Sequence, residues 1–206
     1  MPSIIVIDNF YSSPKSVRQK AMKMDFVEPE ELVGVRTTEG YFPDGFLKRL
    51  SEKSGLNITD IQMPQGTPYD NGTYFLSCNS GKQKEVPGIH WDEPLHHYLC
   101  LVYLTEDIPV NCGTAFFTHR KTGLDTAPTE KEARKRGMTK KELISIIERD
   151  SKRKNRFIET DRVGYKFNRA VIFPARRLHA ASNHYGEALG SARIYQVFTF
   201  VATPKC

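Results

Sequence analysis

From residue 72 onward the chain breaks into short runs of alternating and aromatic residues separated by Gly, Pro and Asn, and this rhythm restricts the possible folds more than any other feature. Alternation marks strands with one buried face, and closely spaced turns mark antiparallel neighbours. The runs are Thr73–Asn79, Gly88–Asp92, His97–Leu104, Thr114–His119, Val163–Phe167, Ala170–Phe173, a short segment at His179, and Arg193–Ala202. Eight such strands suggest a jelly roll or a closed barrel, which hides its sheet edges and leaves a mouth for a ligand.

The first 71 residues read as support for that unit. Ile4–Ile7 has the look of a strand. Ser13 is placed to cap a helix with Pro14 at its first position and an apolar face of Val17, Ala21 and Met24. Residues 26–42 look irregular. Pro43 and Asp44 open a second helix through Phe46, Leu47 and Leu50, which Gly55 can end. Residues 121–160 read as a basic helical insertion, in two pieces broken near Gly137. Thr139 and Glu142 have capping-box spacing ahead of an apolar stripe of Leu143, Ile144, Ile146 and Ile147, the mark of packing onto the domain. The expected class is mainly β with flanking helices (α+β).

At 206 residues the chain is most simply one domain, 1–206, and a hydrophobic content of 39% excludes disorder of the whole. Residues 130–156 hold eleven Lys and Arg against five Asp and Glu, a surplus equal to the net +6 of the entire chain. The charge therefore belongs to one segment, either a solvated helical face or a surface for an anionic partner. Cys78, Cys100, Cys112 and Cys206 lack the spacing of a zinc site or disulfide framework and read as reduced thiols. The N-terminus has no basic stretch ahead of its apolar run, which is too short for a signal or membrane span. The expectation is a cytoplasmic protein without membrane contact.

Chemistry concentrates at His90-Trp91-Asp92. In a strand alternate side chains share a face, so His90 and Asp92 point one way and Trp91 points into the core. A second histidine from elsewhere would complete a two-histidine, one-carboxylate facial set, the arrangement that holds non-haem Fe(II) and leaves positions open. Two histidines could supply it. His179 follows the apolar strand and Pro174, fourteen residues before Arg193; His184 lies in an Asn-His-Tyr-Gly turn, nine residues before it. Arg193 opens the last core strand, where a buried guanidinium needs an anion. His96 and His97 face opposite sides of a strand and cannot both reach one metal. His119 either lines the mouth or is solvated. Asn79 and Tyr74 fall on opposite faces of the strand before His90, and Asn79 is taken as the inward one, on the cosubstrate side.

The order His-x-Asp, Tyr103-Leu104, Cys112-Gly113-Thr114-Ala115-Phe116-Phe117, Val171-Ile172-Phe173-Pro174, a histidine and then Arg193 resembles the Fe(II)/2-oxoglutarate-dependent dioxygenases, prolyl-hydroxylase-like branch. The resemblance covers roughly residues 72–202. Val6-Ile7-Asp8-Asn9-Phe10, Pro14 and Val17-Arg18 are similar to a small bacterial and phage group of unassigned substrate. The resemblance implies a double-stranded β-helix, a cupin-like jelly roll, with iron on His90, Asp92 and His179. Arg193 would then grip the distal carboxylate of 2-oxoglutarate and Tyr103 would hydrogen-bond to it. It implies O2 as oxidant and hydroxylation coupled to decarboxylation of 2-oxoglutarate to succinate. Related halogenases carry a small residue at the Asp92 position, so an aspartate there favours hydroxylation.

One departure is the long gap from His179 to Arg193, which requires Gly186–Gly190 to bulge out as a turn. The expected substrate is an amino acid, a peptidyl residue or another small metabolite. The basic insertion keeps oxidative demethylation of nucleic acid open, although no aromatic residues interleave its charge. A non-catalytic jelly-roll binding module and a zinc hydrolase are the other readings, and the latter leaves Arg193 without a role. Either 121–160 or 30–45 is long enough to serve as a lid.

Overall fold

A computed structural model describes residues 4–28, 35–67, 70–78, 88–94 and 97–205. In chain order the elements are β1 (Ile5–Ile7), α1 (Pro14–Ala21), β2 (Phe26–Val27), β3 (Val35–Thr37), α2 (Phe46–Ser54) and β4 (Leu56–Asp60). There follow β5 (Tyr74–Ser77), β6 (Tyr98–Tyr103), β7 (Thr114–His119), α3 (Glu130–Arg134), α4 (Lys140–Asp150), β8 (Phe157–Val163), β9 (Ala170–Pro174), β10 (His179–Ala181) and β11 (Arg193–Pro204). The large sheet runs β1-β9-β6-β11-β5-β3-β2, with β4 paired to the far half of β11. The small sheet is β10-β7-β8, and all these ladders are antiparallel.

Alternation along each strand divides three cores. Leu99, Leu101 and Tyr103 of β6, Val171 and Phe173 of β9, and Tyr195 and Val197 of β11 point between the sheets and meet Phe116 of β7. Their neighbours Cys100, Val102, Ile172, Ile194, Phe198 and Phe200 point outward, where α1 and α2 cover them with Val17, Ala21, Phe46 and Leu50. Phe46 stacks on Phe198 with ring centroids 3.9 Å apart. Ala115, Phe117 and Ala180 on the outer face of the small sheet are covered by Ala133 of α3 and by Leu143 and Ile147 of α4. The result is helices, large sheet, small sheet, helices: the two-layer jelly roll expected from the strand rhythm, with both outer faces covered.

Two buried amides fasten the N-terminal layer. Asn168, at φ +60° in the left-handed region that asparagine tolerates, accepts from the Tyr11 N–H at 2.8 Å and donates to the Tyr11 carbonyl at 2.9 Å. Gln196 accepts from the Tyr11 hydroxyl at 2.8 Å and donates to the carbonyls of Tyr41 and Gly72 at 2.6 and 2.9 Å. Each side chain is buried with its polar atoms satisfied, which makes the docking specific as well as apolar.

Several expectations are corrected. Gly88–Asp92 is no ladder strand; His90 alone forms a bridge, to His179. Val163–Phe167 is not a strand either, because β8 ends at Val163 and the chain then turns toward Asn168. β8 begins inside the supposed helical insertion and runs past its end, concealed by a run of exposed, largely charged residues between buried Phe157 and Val163. Residues 26–42 contain β2 and β3, and β4 follows α2; the two- and three-residue strands are too short to show alternation. Ser13 precedes α1 without a side-chain cap bond, whereas Thr139 and Glu142 form the expected capping box and Gly55 closes α2 in the left-handed conformation. Thr129 and Glu132 form a second capping box that was not foreseen. Cys78, Cys100 and Cys112 are free thiols as expected; Cys206 lies outside the described residues.

Leu143 is fully buried beneath α4. Leu143→Ala should therefore cost about 2–5 kcal/mol through lost burial and a cavity, read as a lower urea midpoint at unchanged slope. Asp8 accepts from Arg169 Nε and from Lys166 Nζ, each at 2.7 Å, and these bonds lower its pKa to about 2 from 3.8. A depressed carboxylate pKa stabilises above the unfolded value and loses that contribution as pH falls through the folded one. Asp8 is 35% exposed, so screening keeps the gain near ~1 kcal/mol. The stability gap between wild type and Asp8→Asn should shrink as pH drops from about 5 toward 2, followed by thermal melts.

Candidate metal centre

His90 and His179 face each other across an antiparallel bridge, exchanging backbone hydrogen bonds of 3.0 Å (His90 N–H to His179 carbonyl) and 2.8 Å (the reverse). Directly opposed residues share a face, so both imidazoles project into the space between the sheets, 4.5 Å apart at their centroids. Each ring is oriented by the same device. Nδ1–H of His90 donates to the Gly88 carbonyl at 2.8 Å and Nδ1–H of His179 to the Arg177 carbonyl at 2.9 Å. Both Nε2 atoms are thereby left as lone-pair donors.

Asp92 is tied down by its own N–H, which donates to the Ala175 carbonyl at 2.9 Å. Its carboxylate oxygens lie 3.1 Å from His179 Nε2 and 3.8 Å from His90 Nε2. The three donor atoms all fall within 4.8 Å of one another, and among the described residues no other group of three such side chains converges in this way. Burial pushes the Asp92 carboxyl up, but the neighbouring His179, then His90 and Arg36, hold it below its ordinary value. Desolvation by the surrounding walls, then the neighbouring His179, push His90 below its ordinary value, even though its side chain is 44% exposed. A low proton affinity on both partners suits cation binding.

At the start of β11, Arg193 is 1% exposed. Its Nη2 donates to the Gly113 carbonyl at 3.4 Å, while Nε and Nη1 are buried without a hydrogen-bond partner. The rings of Tyr195, Tyr103 and Tyr165 surround the guanidinium at 4.5, 5.3 and 5.9 Å. The Tyr103 hydroxyl lies 2.7 Å from Thr114 Oγ1. Gly113 cannot be larger, since a Cβ there would sit 1.9 Å from the Val163 carbonyl oxygen. A buried guanidinium with two unused donors is a cradle for a carboxylate.

A row of side chains crosses the inner face of the large sheet beside this cradle. Tyr103 pairs with Tyr195, Tyr195 with Phe75, and Phe75 with Arg36. Tyr195 stacks on Phe75 with centroids 5.5 Å apart, and the Arg36 guanidinium lies 4.3 Å from the centre of the Phe75 ring.

The sequence reading thus named residues that the fold brings together, His90, Asp92 and His179, and an arginine and tyrosine, Arg193 and Tyr103, that adjoin each other in the same interior. Asn79 and His96 lie outside the described residues. His184 sits apart, its Nδ1–H donating to the Cys78 carbonyl at 3.0 Å. The gap before Arg193 is a loop after Ala181 in which Gly186 takes φ +76°. His97 is half-buried beside this site, its carbonyl accepting from the Ala175 N–H at 2.9 Å. His119 is neither solvated nor at a mouth: it is fully buried, with Nε2 3.2 Å from Asp150 at the end of α4 and Nδ1 3.0 Å from Thr122 Oγ1. Trp91 is half-buried against the outer core of the small sheet. The basic insertion covers that outer face, on the side of the sheet away from His179, so it is not a lid over the site.

Sequence reasoning missed Tyr195, Tyr165, Gly113, Thr114 and Arg36. Tyr195 was recoverable, because it lies two residues from Arg193 on one strand and must share its face. Arg36 carried no such signal in a three-residue strand.

No curated protein matches the chain. Among solved structures, HygX from Streptomyces hygroscopicus, crystallised with nickel, 2-oxoglutarate and hygromycin B, superposes with a TM-score of 0.53 at 11% identity. The match covers 97% of this chain and 82% of HygX, and it shows a shared fold. A Trichoplax adhaerens prolyl hydroxylase in complex with a hypoxia inducible factor peptide gives 0.46 at 14% identity over 96% and 83% of the two chains. The Fe(II)/α-ketoglutarate-dependent dioxygenase TqaL gives 0.42 at 9% over 97% and 82%. No described helix is long and apolar enough to cross a membrane. A family model matches residues 82–192, more than half of the chain and the stretch that carries both histidines and Asp92, and the protein therefore belongs to DUF6445, a family of unknown function.

Proposed function

We propose that this protein is an Fe(II)- and 2-oxoglutarate-dependent oxygenase that hydroxylates a C–H bond of a small molecule or peptidyl residue. The observation that carries the proposal is Arg193, a buried guanidinium with two donors unsatisfied in the same inter-sheet interior as His90, Asp92 and His179. A zinc hydrolase or a silent binding module would need the triad or the cavity but would leave that charge uncompensated, at a cost of several kcal/mol by order of magnitude. HygX, of the same fold, holds nickel and 2-oxoglutarate. The basic insertion, the one support for a nucleic-acid substrate, does not line the interior.

The donor set fits Fe(II): two neutral imidazole nitrogens and one carboxylate on a single face. Bound iron would supply oxygen activation at the positions left open by three protein ligands, with 2-oxoglutarate oxidised to succinate and CO2 as O2 divides between succinate and the hydroxylated product. The protein contributes order. The Gly88 and Arg177 carbonyls hold the two Nδ1 protons and so keep each Nε2 deprotonated and aimed. Asp92 offers an ionised carboxylate. Arg193 would pair bidentately with the distal carboxylate of 2-oxoglutarate, and Tyr103, its hydroxyl already beside Thr114, would add a bond to the same group. Leu101, Phe116, Val171 and Phe173 keep bulk water out of the interior.

Anaerobic Fe(II) and 2-oxoglutarate should give wild-type protein the weak visible charge-transfer band of a chelated cosubstrate. His179→Ala and Asp92→Ala should lose the band while keeping the circular dichroism of the parent, and His184→Ala should keep it. Well-folded wild type without the band would rule the proposal out. Arg193→Ala should weaken 2-oxoglutarate binding by about a hundredfold with little change in iron affinity, as measured by calorimetry.

A further inference from the structure

Ser77 is 6% exposed, and its Oγ is buried without a hydrogen-bond partner. It is the last residue of β5, and the ladder between β5 and β11 sets it directly opposite Arg193. Directly opposed residues of an antiparallel pair project to one face, with Cβ atoms about 4.5–5.5 Å apart. Ser77 therefore shares the inner face of the large sheet with Arg193, beside the paired rings of Phe75 and Tyr195. Its chain neighbour Leu76 points the other way, onto the core under the helices. The nearness of this hydroxyl to Arg193 follows from strand register alone.

Three polar groups at this corner are buried and unbonded: Arg193 Nε, Arg193 Nη1 and Ser77 Oγ. A serine hydroxyl has one hydrogen to give and lone pairs to accept with, whereas a guanidinium can only give. A bond from Arg193 would fill a lone pair of Ser77 and still leave the serine hydrogen unspent. The hydroxyls on the other side of β11 are different, since Tyr103 and Thr114 lie 2.7 Å apart and satisfy each other. What the corner lacks is an acceptor, and donors buried without one are costly.

A carboxylate supplies what is missing. It can accept about four hydrogen bonds, and the fork of a guanidinium takes two of them. β5 and β6 flank β11, each ~4.8 Å away as neighbouring strands are. Ser77 and Tyr103 thus approach a carboxylate on Arg193 from opposite sides, where its remaining lone pairs lie.

We propose that Ser77 is a further binding residue for the cosubstrate, its Oγ–H donating to the distal carboxylate of 2-oxoglutarate from the β5 side. The inference rests on the oxygenase reading and adds a residue to its cosubstrate site. It makes Ser77 selective: the hydroxyl favours a 2-oxo acid with a second carboxylate and is indifferent to one without.

The test is anaerobic calorimetric titration of Fe(II)-loaded wild type, Ser77→Ala and Ser77→Cys with 2-oxoglutarate and with 2-oxobutyrate, which keeps the chelating head but has no distal carboxylate. Ser77→Ala should weaken 2-oxoglutarate about tenfold, the weight of one charge-assisted hydrogen bond, and change 2-oxobutyrate by less than about twofold. Ser77→Cys keeps the shape but offers only a weak donor, so it should lose about as much as Ser77→Ala; an effect of packing alone would spare it. Glutarate, which has the carboxylate without the chelating oxygen, is titrated into metal-free protein and should weaken by a similar factor in both variants. Unchanged 2-oxoglutarate affinity in Ser77→Ala, equal losses for the two oxo acids, or wild-type affinity in Ser77→Cys overturns the proposal. If Ser77→Ala does not fold, Ser77→Cys is read by the same criteria. The charge-transfer band is recorded on the same samples. Its absence from wild type would defeat the oxygenase reading alone, and the glutarate titration would still decide whether Ser77 binds a carboxylate.

Discussion

Two backbone hydrogen bonds between His90 and His179 hold the site together, because every other feature of it is placed relative to that bridge. The bridge joins residues 89 apart in the chain and adds His90 to the edge of the small sheet beside β10. Directly opposed residues of an antiparallel pair send their side chains the same way, so both imidazoles converge without help from packing. The carbonyl two residues earlier in each chain segment then accepts a hydrogen bond from Nδ1–H, which fixes tautomer and ring angle together. Asp92 follows from the same bridge, two residues along and held by the Ala175 carbonyl.

β11 plays the complementary part in the large sheet. Its odd-numbered residues, Arg193, Tyr195 and Val197, face the interior, and its even-numbered residues, Ile194, Gln196, Phe198 and Phe200, face the helical layer. One strand thus carries the anion cradle on one side and the anchor of the N-terminal support on the other, and a shift of one residue would exchange the two. Gln196 guards against that shift, since it must keep its hydrogen bonds to Tyr11, Tyr41 and Gly72 to stay buried at no large cost.

The legible parts of the fold were those with a local signature. β7 was read at its observed ends and β6 to within one residue, because six consecutive residues each give alternation room to show. α4 was read from its capping box and apolar stripe. Where the signal is shorter or contrary, it misled. β8 is a strand whose five central residues are all exposed, and its burial at Phe157 and Val163 alone gives no period. His119 was misjudged because its partner Asp150 is brought to it by the docking of α4, which no spacing in the chain announces.

The sequence by itself determined the strand alternation, hence which residues of each strand share a face, and it placed His90 with Asp92 and Arg193 with Tyr195. It also carried the choice of His179 over His184, through the apolar strand and proline that precede it. Only the tertiary structure decided which faces meet. The His90–His179 bridge, the tyrosine ring around Arg193 and the row from Tyr103 to Arg36 each join strands far apart in the chain, and their registers depend on the packing of all three cores at once. Local sequence specifies a side chain's direction within its own strand, but the neighbour across the sheet is selected by the burial free energy of the whole assembly.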